Sequence, residues 1–203
     1  MSRAAVRHLK RVDPTLRRVI ERVGPCRLTV RTEGADFDHL VRAIVYQQLA
    51  GKAAAAIHGR LLGLYGDRPP TPAELLATRA PRLRRAGLSR QKLSYLKDLA
   101  RRVHSGAVPL DALRDLADEA IIEALTEVRG VGVWTAQMFL MFRLGRPDVL
   151  PILDFGIRNA FRQAYGMRRM PKPAHMERIA ASWRPYRTVA CWYLWRSLDV
   201  KTP

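Results

Sequence analysis

The stretch "VRGVGVWTAQMFLMF", Val128 to Phe142, sets two glycines one residue apart in front of an apolar run that carries a tryptophan. With the residues before it, "EALTEVRGVGVWTAQMFLMF", it reads as helix, tight turn and helix. Gly130 and Gly132 tolerate positive φ and, lacking side chains, let another backbone come close. Bare N–H groups of the turn would lie beside the N-terminus of the helix starting near Val133, a seat for a phosphate. The same glycines would serve equally to end one helix and begin the next, so the neighbouring sequence has to decide.

Outward from this turn, nearly every segment carries apolar residues at helical spacing. "DPTLRRVIERVG" has Asp13 as N-cap, Pro14 at the first helical position and Gly24 as terminator. "FDHLVRAIVYQQLAGKAAAAIHGRLLGLYG" predicts two helices, or one kinked at Gly51, closed by Gly66. Thr71, Pro72 and Glu74 form a capping box, and Ser89 caps a helix that Gly106 stops. "DEAIIEALTEV", "DFGIRNAFRQAYG", "PAHMERIAASW" and "PYRTVACWYLWRSL" bring the total to roughly nine or ten short helices, whereas "CRLTVRTEG" alternates like a strand but is too short to found a sheet. The prediction is an all-α, two-lobed helical bundle. The expectation is a single compact domain over residues 1–203, with one lobe at about residues 36–125 and the other made of about residues 1–35 together with about 126–203.

Composition narrows the function. Lys and Arg number 36 against 18 Asp and Glu, a net charge of +18, and thirty of the cations are arginine. Arginine makes bidentate contacts with phosphate, so this balance favours nucleic acid. The cations occur along the whole chain, which argues against a disordered basic tail. Cys26 and Cys191 lack any metal-ligand spacing, so neither a zinc site nor a four-cysteine iron–sulfur cluster can be built, and both read as reduced core residues. No run of about 18 apolar residues offers a membrane span, and "MSRAAVRHLKRV" lacks the apolar run of a signal peptide. The expectation is an intracellular, cytoplasmic protein that avoids membranes.

Past the hairpin, "WTAQMFLMFRLG" ends at Gly145, the chain turns through "RPDVLP", and Asp154 opens the next helix. The run "LTEVRGVGVWTAQMFLMFRLGRPDVLPILDFGIRNAF" resembles the helix-hairpin-helix base-excision DNA glycosylases, with their Gly/Pro-rich loop and trailing aspartate. It is most similar to the 3-methyladenine DNA glycosylase II branch of AlkA type. "LVRAIVYQQLAGKAAAAI", "RAGLSRQKLSYLKDLA" and "WRPYRTVACWYLWRSL" agree, and the resemblance covers about Asp36 to Leu198. It implies two lobes enclosing a cleft, and a compact version without the N-terminal β-rich domain of larger members.

The resemblance also implies a site. Amide groups of Gly130, Val131, Gly132, Val133 and Trp134 would grip the DNA backbone, with an alkali cation held by the carbonyls of Thr126, Val128 and Val131. Arg129 and Lys92 are phosphate contacts in this reading, although a solvated cation is the commoner role for Lys92. Gln47, Gln48, Leu49 and Ala50 would enter the minor groove and fill the gap left by a flipped base; Gln47 and Gln48 could equally cap backbone groups. Asp154 would be catalytic, because a fixed carboxylate stabilises the positive charge that develops on the sugar as an N-glycosidic bond breaks. Its competing role is a plain helix N-cap.

Trp134 stands where bifunctional relatives carry a Schiff-base lysine, so the expected chemistry is monofunctional hydrolysis. Trp134 and Trp195 would line the pocket for a flipped, cationic methylated purine, and Met138 replaces a tyrosine found in some relatives. No cofactor is required, and the partner is duplex DNA with damaged bases, bound by a monomer. The competing functions are a glycosylase for oxidised or deaminated bases, a DNA lyase, and a non-catalytic hairpin that only clamps phosphate.

Overall fold

Asp13, Thr71 and Ser89 each open a helix, as their spacing predicts. Asp13 Oδ1 accepts from Leu16 N at 2.9 Å, Thr71 and Glu74 close a complete capping box, and Ser89 Oγ accepts from Lys92 N at 3.1 Å. The computed structural model describes residues 3–200. Among them run α1 (Arg3–Val12), α2 (Pro14–Val23), α3 (Asp36–Tyr46), α4 (Gly51–Gly63), α5 (Pro72–Ala77) and α6 (Ala80–Arg85). Then follow α7 (Arg90–His104), α8 (Asp118–Thr126), α9 (Val133–Phe139), α10 (Phe155–Ala164), α11 (Pro173–Ala180) and α12 (Arg187–Asp199). No strand occurs among the described residues, and "CRLTVRTEG" is irregular extended chain. None of these helices is long and apolar enough to cross a membrane.

The chain divides into two compact units. One joins the described residues up to Arg31 with those from Leu140 onward, and the other is Thr32–Phe139. The second boundary lies between Phe139 and Leu140 rather than near residue 126, so the hairpin belongs with α3–α8 and not with Asp154. The switch coincides with a change in the helix itself, which loosens into a π-helical turn at Leu140–Leu144.

In the discontinuous unit, α2 packs on α1, α10 and α12 and buries Leu16, Val19 and Ile20. Asp13 does more than cap. Its Oδ2 accepts from the Tyr165 hydroxyl at 2.6 Å and from Trp183 Nε1 at 2.9 Å, and burial followed by this carboxylate pushes the Tyr165 pKa up. Phe161 stacks on both rings, 5.6 Å from Tyr165 and 5.2 Å from Trp183. The N-terminus of α12 holds the chain that leads into α10. Thr188 Oγ1 donates to the Arg146 carbonyl at 2.7 Å and accepts from Val149 N at 3.0 Å, while Arg187 grips the Asp148 carboxylate at 2.7 and 2.9 Å. Cys191 is buried in this unit as expected; Cys26 is only partly buried, and both are free thiols.

In the Thr32–Phe139 unit, α3, α5 and α6 pack on α7. Its Lys97 ammonium donates to the Leu75, Leu76 and Thr78 carbonyls at 2.7–2.8 Å, satisfying the end of α5. Its Asp98 is buried; burial raises the carboxyl pKa, but the Arg129 backbone N–H at 3.0 Å and the Arg102 guanidinium outweigh that and bring it below the usual value. Its Tyr95, held by Gln91 Nε2 at 2.6 Å, lies flat against Gly130.

Replacing Asp13 by Ala removes an N-cap and strands one buried and one part-buried donor, and should cost about 3–5 kcal/mol in urea denaturation; a loss within about 0.5 kcal/mol would mean the network carries no stability. Gly130 has φ +80° and a Cβ there would overlap the face of the Tyr95 ring, whereas one on Gly132 meets nothing within 4 Å. Gly130→Ala is therefore expected to lower the melting temperature by roughly 5–10 °C, and Gly132→Ala to leave it unchanged.

Candidate active site

The glycine pair divides its work. Gly130 adopts positive φ and packs on Tyr95; Gly132 has ordinary φ, and its missing side chain leaves the turn open. The Gly132 carbonyl accepts from Ala136 N at 3.1 Å and so begins α9. Val131 is buried and its N–H donates to the Val128 carbonyl at 3.0 Å, which takes one of the five expected backbone donors into the turn itself. Val133 and Trp134 follow at the helix start with 44% and 48% of their surfaces exposed, an unusual placement for large apolar side chains. Met138, one turn on, is half-buried, and Arg129 is exposed at the turn's entry.

The α3–α4 loop is tied to the hairpin within the same unit. Gln47 Nε2 donates to the Gly130 carbonyl at 2.8 Å, so this residue, expected at the DNA, instead caps the turn. Lys92 is likewise turned to the protein: its ammonium donates to the Val45 carbonyl at 2.6 Å, and burial pulls its pKa down. The physical reason is common to both, since the end of a helix or turn leaves carbonyls without partners. Gln48, Leu49 and Ala50 are exposed beside that anchor, and Gln48 holds φ +55°, a left-handed conformation that costs a non-glycine residue energy and is concentrated at functional loops.

The carboxylate lies in the other unit. Asp154 is the N-cap of α10, and its Oδ1 accepts from Ile157 N at 2.7 Å and from Trp195 Nε1 at 2.9 Å. The N-cap and the fixed carboxylate are thus one residue rather than alternatives. Trp195 comes from α12 and lies against Phe142, with centroids 6.0 Å apart. Gly156 leaves room for this pair, because a Cβ there would stand 3.1 Å from both Asp154 Oδ1 and Trp195 Nε1 and the two side chains would have to give by a few tenths of an ångström. Leu153 and Phe155 flank the aspartate with 65% and 72% of their surfaces exposed.

Sequence reasoning missed several parts. Tyr95 and Asp98, which hold the hairpin, sit about thirty residues before it in the chain and read as ordinary helix positions. The signal for Tyr95 lies in Gly130 itself, whose bare backbone needs a flat partner. The family resemblance implies a base-pocket aromatic at Trp195; its indole N–H on Asp154 has no local sequence signature.

Residues 41–185 match the HhH-GPD superfamily base excision DNA repair protein family. The chain is 34% identical to DNA-3-methyladenine glycosylase 1 of Schizosaccharomyces pombe over 94% of its own length and 85% of that protein. Among solved structures it is similar to the S. pombe 3-methyladenine DNA glycosylase Mag1 in complex with abasic DNA (TM-score 0.85, 34% identity, 98% of this chain and 100% of that one). A DNA-3-methyladenine glycosidase from Bacillus halodurans is comparable (TM-score 0.86, 36% identity, 97% and 94%). By its glycine hairpin, its trailing aspartate and a match spanning most of its length, the chain belongs to the HhH-GPD superfamily of base excision DNA repair proteins.

Proposed function

We propose that this chain is a monofunctional DNA glycosylase that releases alkylated purines, of the 3-methyladenine and 7-methylguanine class, from duplex DNA. The single observation that carries the reading is the Asp154 carboxylate, held at a helix start by two N–H donors and joined in sequence to an open glycine hairpin. Relatives of one third identity over nearly the whole chain are named for 3-methyladenine, which supports the substrate class.

The hairpin binds the DNA backbone through the amides around Gly130 and Gly132, with Arg129 adding charge. Gln48, Leu49 and Ala50 fill the space of the extruded nucleotide, and Trp134 offers an electron-rich ring to a cationic base. As the C1′–N bond breaks, its electron pair neutralises the methylated ring, so the base leaves without needing a proton. Asp154 stabilises the positive charge left on the sugar, and a water oxygen then bonds to C1′ and loses its proton to solvent. Trp195 positions the carboxylate. Trp134 cannot form a Schiff base, so the abasic strand stays intact.

Carbonyl oxygens suit a hard cation, and those of Thr126, Val128 and Val131 would hold an alkali ion that reinforces the turn's pull on phosphate; Val128 already accepts one N–H, which leaves it a second lone pair. The protein acts inside the cell as a monomer.

On methylated duplex DNA the parent protein should release 3-methyladenine or 7-methylguanine, detected by mass spectrometry, with strand breaks only after alkali. Asp154→Asn should lose release by about 100-fold or more while still binding DNA; equal release by both proteins would remove Asp154 from the chemistry. Trp195→Phe keeps an aromatic ring but loses the N–H donor. It should lower kcat about 10-fold with KM little changed, whereas a rise in KM alone would mark Trp195 as a base-binding wall only.

A further inference from the structure

An open groove of about 640 Å³ lies between the turn that follows α4, at Leu64 and Tyr65, and the α5–α6 segment, wholly within the Thr32–Phe139 unit. Arg79, Arg82 and Arg85, spaced three apart at the start and along α6, supply its charge. Arg82 reaches the Leu64 carbonyl at 3.2 Å through one nitrogen, while the exposed side chains of Arg79 and Arg85 make no hydrogen bond or ion pair among the described residues. The acid lining the groove, Glu74, is already neutralised. Arg68 and the Thr71 N–H hold its carboxylate, which keeps its pKa down at about 2. On the wall, the Tyr65 and Thr78 hydroxyls bond each other at 2.8 Å, so their polar groups need no ligand and the Tyr65 ring forms an apolar side.

The groove is separate from the hairpin. Residues 95 and 97 of α7 point about 200° apart around the helix axis. Tyr95 packs on Gly130, whereas Lys97 binds the carbonyl of Thr78, a residue of the groove. One phosphate cannot serve both places.

We propose that this groove is a second phosphate site, in which Arg79, Arg82 and Arg85 take a phosphate ester by bidentate contacts. Three guanidinium groups on one face, two of them unpaired and the third engaged through a single nitrogen, beside a neutralised acid and an aromatic wall, suit that chemistry better than any cation or neutral ligand. The source of the phosphate is DNA backbone beyond the segment held by the hairpin, a choice that rests on the glycosylase reading; a free nucleotide would offer the same group.

The test compares the parent with Arg79→Gln/Arg85→Gln and with the triple variant that adds Arg82→Gln. The double variant changes only side chains that hold nothing in the fold, so it guards against unfolding. Binding of a long undamaged duplex is measured against salt, and binding of adenosine monophosphate and of inorganic phosphate by calorimetry. For DNA as the source, the double variant should reduce the slope of log K against log salt by about 2, with base release at saturating methylated duplex unchanged. An unchanged slope together with lost nucleotide and phosphate binding would support the site and assign it to a free ester. Unchanged slope and unchanged small-ligand binding would overturn it. Absence of base release from the parent as well would sink the glycosylase reading and leave this comparison intact.

Discussion

Everything at the hairpin depends on the contact between Gly130 and the Tyr95 ring. A turn that offers N–H groups outward must be held from behind, and here an aromatic face does so where any side chain on the glycine would collide with it. Asp98, one helical turn further along α7, fixes the same strand of chain through the Arg129 N–H, and Gln47 takes the Gly130 carbonyl. Three contacts from two elements leave the turn little freedom before a ligand arrives. In the proposed role such preorganisation would lower the entropy that phosphate binding has to overcome; Gly132 has ordinary φ and open space where a side chain would be.

The other unit solves a related problem for a carboxylate. Asp154 caps α10 through the same oxygen that receives the Trp195 N–H, so rotation about its side-chain bonds is opposed by two donors at once. The lead-in is equally fixed, because Arg187 and Thr188 at the start of α12 bind the chain from Arg146 to Val149. One helix therefore sets both the path into the aspartate and the orientation of its carboxylate. A structural cap and the proposed catalytic carboxylate, rivals on sequence grounds, are compatible because the cap bond aligns the side chain.

What the sequence made legible was local. Caps at Asp13, Thr71 and Ser89, the break before Gly51, and the hairpin followed by Asp154 all depend on residues within a few positions of one another. What it hid was either short or distant. Helix α6 has six residues and one buried leucine, too few for a period to register, and α1 carries only Ala5 and Leu9 inward. Tyr95 with Gly130, Lys92 with Val45, and Trp195 with Asp154 are separated by 35 to 47 residues, and no local pattern announces them. Gln47 was legible as one of two possibilities; the fold chose the backbone cap.

Charge shows the same limit from another side. A net +18 argued for a polyanion, yet part of that charge works inside the protein. Arg60 donates to the Ala86 carbonyl at 2.9 Å, Arg84 to Leu88 at 2.8 Å and Arg143 to Arg31 at 2.7 Å, in the manner of Lys92 and Lys97. A fold made of many short helices has many C-terminal carbonyls without helical partners, and long cationic side chains reach them. Counting cations therefore overstates the nucleic-acid surface. The informative arginines are those like Arg79 and Arg85, exposed and engaged with no carbonyl or acid among the described residues, because nothing in the fold accounts for their charge.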